Sequence, residues 1–352
     1  MSPDTFNPIA FKKELAVSRV LQRDESGEFA EAAIPVEFRF DPLTGRTCRV
    51  VQFPLERINR PNLAALEKQS RELFCSFCPG NTSAISTRFP PELAPDGIIR
   101  VGKAFGFPNS GPYDVYGMVV VMTDEHFVRP DGFDLDTVHD TLLASQQCLA
   151  AAQRAAPAAK YPFIAWNYMP PSGGSLVHPH MQCNTGCHPT NYQKLLLDAS
   201  DRYHEKNGTN YWSDLLEQEK RAGERYIGCT GNVEWLTAFM PRGRLSDVLA
   251  VFPGRASIMD VTADDLRDFA AGLLRVFNYI DGLNLISFNM ATFSGSDSGR
   301  FWAHAVVMPR GSLLYSPMET SDQFYYTLLH EENACILSPE AACERLKRYF
   351  TV

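Results

Sequence analysis

The sequence has no apolar run approaching the roughly 20 residues that a helix needs to cross a bilayer. It has no excess of positive charge either: 33 Lys and Arg face 41 Asp and Glu, a formal net charge of −8. The first absence predicts no membrane span. The second argues against a nucleic-acid partner, because neutralising phosphates takes a basic stripe. The opening Met1-Ser2-Pro3-Asp4-Thr5 lacks a basic segment followed by an apolar one, so no secretory signal is expected. A disulfide framework is missing too. Nine cysteines, an odd number at irregular spacing in 352 residues, read as reduced thiols and predict a cytoplasmic protein.

What is present is an ordinary globular composition, 45% hydrophobic and 21% charged, with enough chain for one large domain or two fused halves. Two short patterns carry chemistry. Cys75-Ser76-Phe77-Cys78 sets two sulfurs at the spacing of a metal knuckle, although two buried thiols would look the same. His178-Pro179-His180-Met181-Gln182 sets two imidazoles and a carboxamide at alternate positions, which share one face of an extended segment. Imidazole is both a nucleophile toward phosphorus near neutral pH and a zinc ligand. Pro179 removes a backbone donor and stiffens the link between the rings. Taken alone, the pair is equally well a plain surface or core feature.

Along the chain, residues 1–35 read as an extension of mixed charge without a sustained period. Residues 36–40 and 48–51 alternate as strands around a turn at 41–45, which predicts a hairpin. Then a pattern occurs twice. In the first half a buried strand at 116–122 precedes a loop with His126, a helix at 135–155, a strand at 163–167 and the loop to His178. In the second half a strand at 248–252 precedes a helix at 266–280 capped by Thr262, with returning strands at 285–290 and 301–308. The polar segment 200–224 reads as a helix plus linker, and Ser338 caps a last helix running through Arg348. The expected organisation is an N-terminal repeat over 36–199, the connecting segment 200–224 and a C-terminal repeat over 225–352. The predicted fold is α+β, two fused units sharing one sheet.

In their order and spacing these residues resemble the galactose-1-phosphate uridylyltransferase family, a branch of the histidine-triad superfamily, from about Phe38 to the C-terminus. FRFDPLTGRTCRVV is similar to the family's opening hairpin, and Arg57 and Arg60 in RINRP match its arginine pair. CSFCPGN matches its first zinc half-site, MTDEHF its third ligand, and Ser175 with HPHMQ its active-site loop. The resemblance implies histidine-triad repeats on a mostly antiparallel, half-barrel sheet. It implies one structural zinc on Cys75, Cys78, His126 and His178, positioning the neighbouring loop rather than acting as a Lewis acid. It implies His180 as the nucleophile that becomes a nucleotidyl-histidine, with Gln182 donating to the phosphoryl oxygens. Arg57, Arg60, Asn167 and Ser175 fall on phosphate-binding positions, and Phe77, Phe107 and Asn109 on the base and ribose pocket. Family members are commonly dimers, so a homodimer is expected.

The second half departs from the family. His304 lacks its histidine partner, Val306 standing in that place, and Phe293 occupies another metal-binding position. No second metal is therefore expected, and His304 is read as a packed residue. The hexose contacts ahead of the terminal helix fall on Leu328 and Ala334, and Glu331, Glu332 or Asn333 replace them only with a shifted register. The predicted activity is transfer of a nucleoside monophosphate, UMP foremost, from a nucleotide sugar to a phosphorylated acceptor. Two alternatives stand beside it: a phosphorylase or hydrolase of dinucleoside polyphosphates or nucleotide sugars using the same histidine, and a non-catalytic binder of zinc or nucleotide.

Overall fold

The computed structural model describes residues 8–51, 62–311 and 322–351. The chain opens with strands β1 (Lys12–Arg23), β2 (Phe29–Phe40) and β3 (Thr47–Val51). Helix α1 (Leu63–Arg71) leads to β4 (Ile99–Val101), β5 (Ala104–Pro108), β6 (Tyr116–Val121), α2 (Leu135–Ala155), β7 (Tyr161–Tyr168) and β8 (His180–Gly186). Helices α3 (Asn191–Asn207) and α4 (Tyr211–Ala222) connect to β9 (Tyr226–Thr230), β10 (Val233–Thr237), β11 (Val248–Val251), α5 (Ala263–Gly282), β12 (Ser287–Phe293) and β13 (His304–Arg310). The chain closes through α6 (Tyr325–Leu329), β14 (Asn333–Cys335) and α7 (Pro339–Phe350).

The large sheet has the order β4-β5-β6-β8-β7-β12-β13-β11-β10-β9, and its described pairings are antiparallel. Counted outward from the central β7·β12 pair, both sides show the same succession of strands. This is the duplication read from the sequence, two α+β units joined edge to edge in one sheet. The helices form where the period predicts, and their caps are well made. Asp134 accepts from the backbone N–H of Thr137 at 2.8 Å to open α2. Thr262 and Asp265 make a reciprocal capping box at the start of α5. Both helices lie on one face of the sheet, where Val138, Leu142, Leu266, Phe277, Met181, Cys183, Trp166 and Phe288 share one core. No helix among the described residues is long and apolar enough to cross a membrane.

Three segments differ from the sequence reading. The described part of the N-terminal extension is mostly strand, with β1 paired to β2 from Lys12↔Phe40 to Arg23↔Phe29. Nearly every residue of β1 is exposed on both faces, so no alternation of apolar and polar residues marks it. The hairpin of 36–51 does not join the large sheet. It belongs to a second sheet, β1-β2-β3-β14, in which β14 pairs parallel with β3. The segment 200–224 holds the end of α3 and all of α4, separated by Gly208 in a left-handed C-cap and Asn210 as the next N-cap. Its polar composition hides an apolar face of Tyr211, Trp212, Leu215 and Leu216, which packs with Leu236, Val251 and Phe301. That packing covers the second half of the sheet on the side away from α2 and α5.

Candidate active site and metal centre

Alternation along β8 sorts its side chains between two environments. Met181 and Cys183 are fully buried in the helix-side core. His180 and Gln182 point to the opposite face, where Gln182 lies across from Val119 of β6 and Ala165 of β7. His180 Nδ1 is 2.8 Å from the backbone carbonyl of His178. A carbonyl only accepts, so Nδ1 carries the proton and Nε2 keeps the free lone pair. Burial pushes the pKa of His180 below the ordinary 6.5, partly opposed by that hydrogen bond, so the ring is held neutral. The Phe77 ring stands edge-on to His180 at 5.3 Å and to His178 at 5.9 Å, and Phe107 packs against Phe77.

One step behind the histidine, Cys75, Cys78, His126 and His178 bring their ligand atoms within 4.8 Å of one another. Cys78 Sγ lies 3.2 Å from His126 Nδ1 and 3.6 Å from His178 Nδ1, and Cys75 Sγ lies 3.7 Å from His178 Nδ1. A tetrahedron built on metal–sulfur bonds of about 2.3 Å and metal–nitrogen bonds of about 2.0 Å has sulfur–nitrogen edges of roughly 3.5 Å. The donor set therefore fits a metal ion. The far ring nitrogens fit as well: His178 Nε2 sits 2.8 Å from the Thr123 carbonyl, and His126 Nε2 sits 3.1 Å from Ser70 Oγ. The Thr123 contact fixes Nδ1 of His178 as the unprotonated atom, the one able to bind a metal. Burial lowers the pKa of both histidines, as neutral ligands require.

The remaining predicted residues are distributed unevenly. Asn167, next to last in β7, lies on the same face as His180, exposed, and its side chain accepts from Asn289 Nδ2 at 2.7 Å. Ser175 is exposed in the loop leading to His178. Asn109 is turned to its own loop, accepting from the Gly111 N–H at 3.1 Å. Arg57 and Arg60 lie outside the described residues. His304 opens β13 as His180 opens β8, and its Nδ1 likewise meets the carbonyl two residues back, Trp302, at 3.1 Å. Its surroundings are the opposite. Trp212 stacks on it at 3.9 Å and Phe293 at 5.1 Å, and burial drives its pKa down to about 4.

Several features of the site were not read from the sequence. Met169, just after β7, holds φ 68 and ψ 160, a region that only glycine adopts without strain. A Cβ on Gly174 would come 2.8 Å from the Asn167 carbonyl oxygen, so the loop folds back too tightly for any other residue. Asn289 and the buried pair Arg310–Asp322 border Asn167 from the second repeat. Asn289 is a polar residue at an inward position of a predicted strand, the one signal that could have marked it.

No protein-family model matches the chain. An uncharacterised protein of Archaeoglobus fulgidus is 29% identical over 345 residues, covering 97% of this chain and 99% of that one. Among solved structures, a galt-like protein from Arabidopsis thaliana superposes with a TM-score of 0.67 at 15% identity, over 88% of this chain and 98% of its own. An ADP-glucose phosphorylase from Arabidopsis thaliana with bound ADP-glucose gives 0.65 at 14% identity, over 89% and 98%. A uridylyltransferase gives 0.62 at 20% identity, over 89% and 98%. The chain has the fold of the galt-like and uridylyltransferase structures, reached by a widely divergent sequence.

Proposed function

We propose that this protein is an enzyme acting on phosphorus that transfers a nucleoside monophosphate through a covalent intermediate on His180. One observation carries the reading: His180 is tethered through Nδ1 and leaves Nε2 with no hydrogen-bond partner among the described residues, on the sheet face that carries Gln182 and Asn167 and beside Phe77. In this reading Nε2 attacks the α-phosphorus of a nucleotide sugar. A P–N bond forms, the P–O bond to the distal phosphate breaks, and the sugar phosphate departs with that electron pair. A phosphate oxygen of the acceptor then attacks the same phosphorus and releases the imidazole. Gln182, Asn167 and Ser175 donate to the phosphoryl oxygens, joined by Arg57 and Arg60 from the sequence resemblance. Phe77 and Phe107 supply apolar surface for the nucleotide, with Asn109 just past the end of the strand that carries Phe107. Zinc is the cation proposed for Cys75, Cys78, His126 and His178, where it would hold three chain segments against the turn that carries His180.

The acceptor reading favoured second is inorganic phosphate, which makes the reaction a phosphorolysis. Glu331 and Glu332, the acids nearest the expected hexose contacts, are engaged elsewhere. Glu331 pairs with Arg46 at 3.4 Å, and Glu332 accepts from Thr47 at 2.7 Å and pairs with Arg49. Leu328 is exposed on α6 and offers a sugar hydroxyl nothing.

The test is intact-mass spectrometry after mixing with UDP-glucose or ADP-glucose, with and without phosphate or a hexose phosphate. A nucleotidyl adduct that His180→Ala abolishes supports the reading, and the added acceptor that discharges it names the second substrate. No adduct with either donor refutes it.

A further inference from the structure

We propose that the second repeat fixes the direction of the Asn167 carboxamide, through the chain Asp322–Arg310–Asn289–Asn167, so that Asn167 presents its NH2 group to the transferring phosphoryl group. This rests on Asn167 being a phosphate contact, as proposed above. The position is suitable. Continuing the β7·β8 register from Ala165↔Gln182 by two residues brings Asn167 opposite His180, and Asn289 of β12 lies directly across from Asn167 on its other side.

The direction follows from which groups can only donate or only accept. Arg310 is buried and grips Asp322, its Nε lying 2.8 Å from each carboxylate oxygen. That grip aims Nη1 at the Asn289 side chain. A guanidinium has no acceptor, so the atom it meets must be Asn289 Oδ1. Asn289 Nδ2 is thereby turned the other way, donating to Asn167 Oδ1 at 2.7 Å and to the Ser172 carbonyl at 2.9 Å. The carbonyl, which only accepts, fixes the same orientation independently. Asn167 must then answer with its oxygen, and its own Nδ2 is left toward the open face, with no protein acceptor among the described residues.

An unanchored carboxamide samples both orientations and would have to turn its oxygen, which a phosphate repels, away before its nitrogen could donate. Anchoring removes that reorganisation before the substrate arrives. Asn289, Arg310 and Asp322 are therefore positioning residues. They explain why the first repeat's site needs the second repeat beside it.

The experiment replaces Asn289 by Asp, nearly identical in shape but accepting at both oxygens. Arg310 keeps its partner, while Asn167 must turn its nitrogen inward. We expect the single-turnover rate of His180 nucleotidylation to fall by about 10- to 100-fold, at or below the lower end of the roughly 100- to 1000-fold cost of losing one preorganised donor because Asn167 is turned rather than removed, with a much smaller change in donor affinity. Asn167→Ala should lose as much, and the double variant should be no slower than Asn167→Ala, because both changes remove one unit. Asn289→Ala adds no charge and should also slow the step. Wild-type speed in Asn289→Asp, or a double variant slower by the full product of the two losses, overturns the proposal; the second result would mark a plain charge effect. Should the wild-type chain form no adduct at all, the functional reading fails by itself. The chain of amides is then judged by the Asn167 side-chain NH2 resonances in 15N-labelled protein. They must shift in Asn289→Asp, and unmoved resonances refute the proposal.

Discussion

Glu340, in the first turn of α7, receives Arg39 through Nη1 and Nη2 at 3.0 and 2.7 Å, Arg225 at 2.9 Å and Lys13 at 3.2 Å. Arg39 lies on β2, Arg225 just before β9, and both guanidinium side chains are almost fully buried. This cluster ties the N-terminal hairpin to the second repeat. Burial by itself would raise the Glu340 carboxyl, but Arg39 and then Arg225 override it and hold the group down to about 2, against an ordinary 4.5. A depression of that size corresponds to about 3 kcal/mol of folding stability at neutral pH. Glu340→Gln keeps the shape and one acceptor. Glu37 still pairs with Arg39, and Glu219 with Arg225, so neither cation is left alone. The expected loss is therefore about 2–4 kcal/mol rather than the upper end for an orphaned buried charge. The sign of the pH dependence follows from the depressed value. The stabilisation is complete above pH 4.5 and is lost as the pH falls toward 2. The gap between wild type and variant in urea unfolding should be widest at pH 7 and smaller by about 1.4 kcal/mol at pH 3.5. Equal urea midpoints at pH 7, or a gap that widens on acidification, would refute the reasoning.

Three further outcomes are expected. Gly174→Ala pushes a methyl against the Asn167 and Met169 carbonyl oxygens, at 2.8 and 3.0 Å; it should cost about 1–3 kcal/mol in thermal unfolding and slow His180 nucleotidylation, and unchanged labelling would show that the loop tolerates the shift. Purified protein should carry one zinc per chain by elemental analysis, and Cys78→Ser should lose both the metal and several degrees of melting temperature; a wild-type chain without metal and with unchanged melting refutes the site. His304→Phe should leave adduct formation intact and relieve acid sensitivity. Burial holds His304 near 4, below its ordinary 6.5, so wild-type stability due to the neutral ring is present above 6.5 and declines as the pH falls through 4; a variant that unfolds in acid together with wild type would contradict this.

Much of the site was legible because its residues are close in sequence or tied to strong local signals. Cys75 and Cys78 share one turn, and His178, His180 and Gln182 share one strand and its approach. Helices α2 and α5 announced themselves by period, and α5 also by its cap Thr262. Strand β1 could not be read, because solvent on both sides removes the alternation that marks a strand. Helix α4 was diluted by its polar face, although its apolar residues had helical spacing.

The sequence by itself determined the duplicated α+β order and the Cys-x-x-Cys and His-Pro-His patterns, since local spacing suffices for each; the convergence of Cys75, Cys78, His126 and His178 and the free ring nitrogen of His180 are seen in the fold. Only the tertiary structure decided that His180 is tethered through Nδ1 beside the edge of Phe77 while its counterpart His304 is sandwiched between Trp212 and Phe293. It alone brought Asn289, Arg310 and Asp322 to Asn167. The two histidines have the same backbone setting, so what separates them is packing from helices and strands distant in the chain. Long-range pairing of that kind leaves no periodic trace in the segment it acts on.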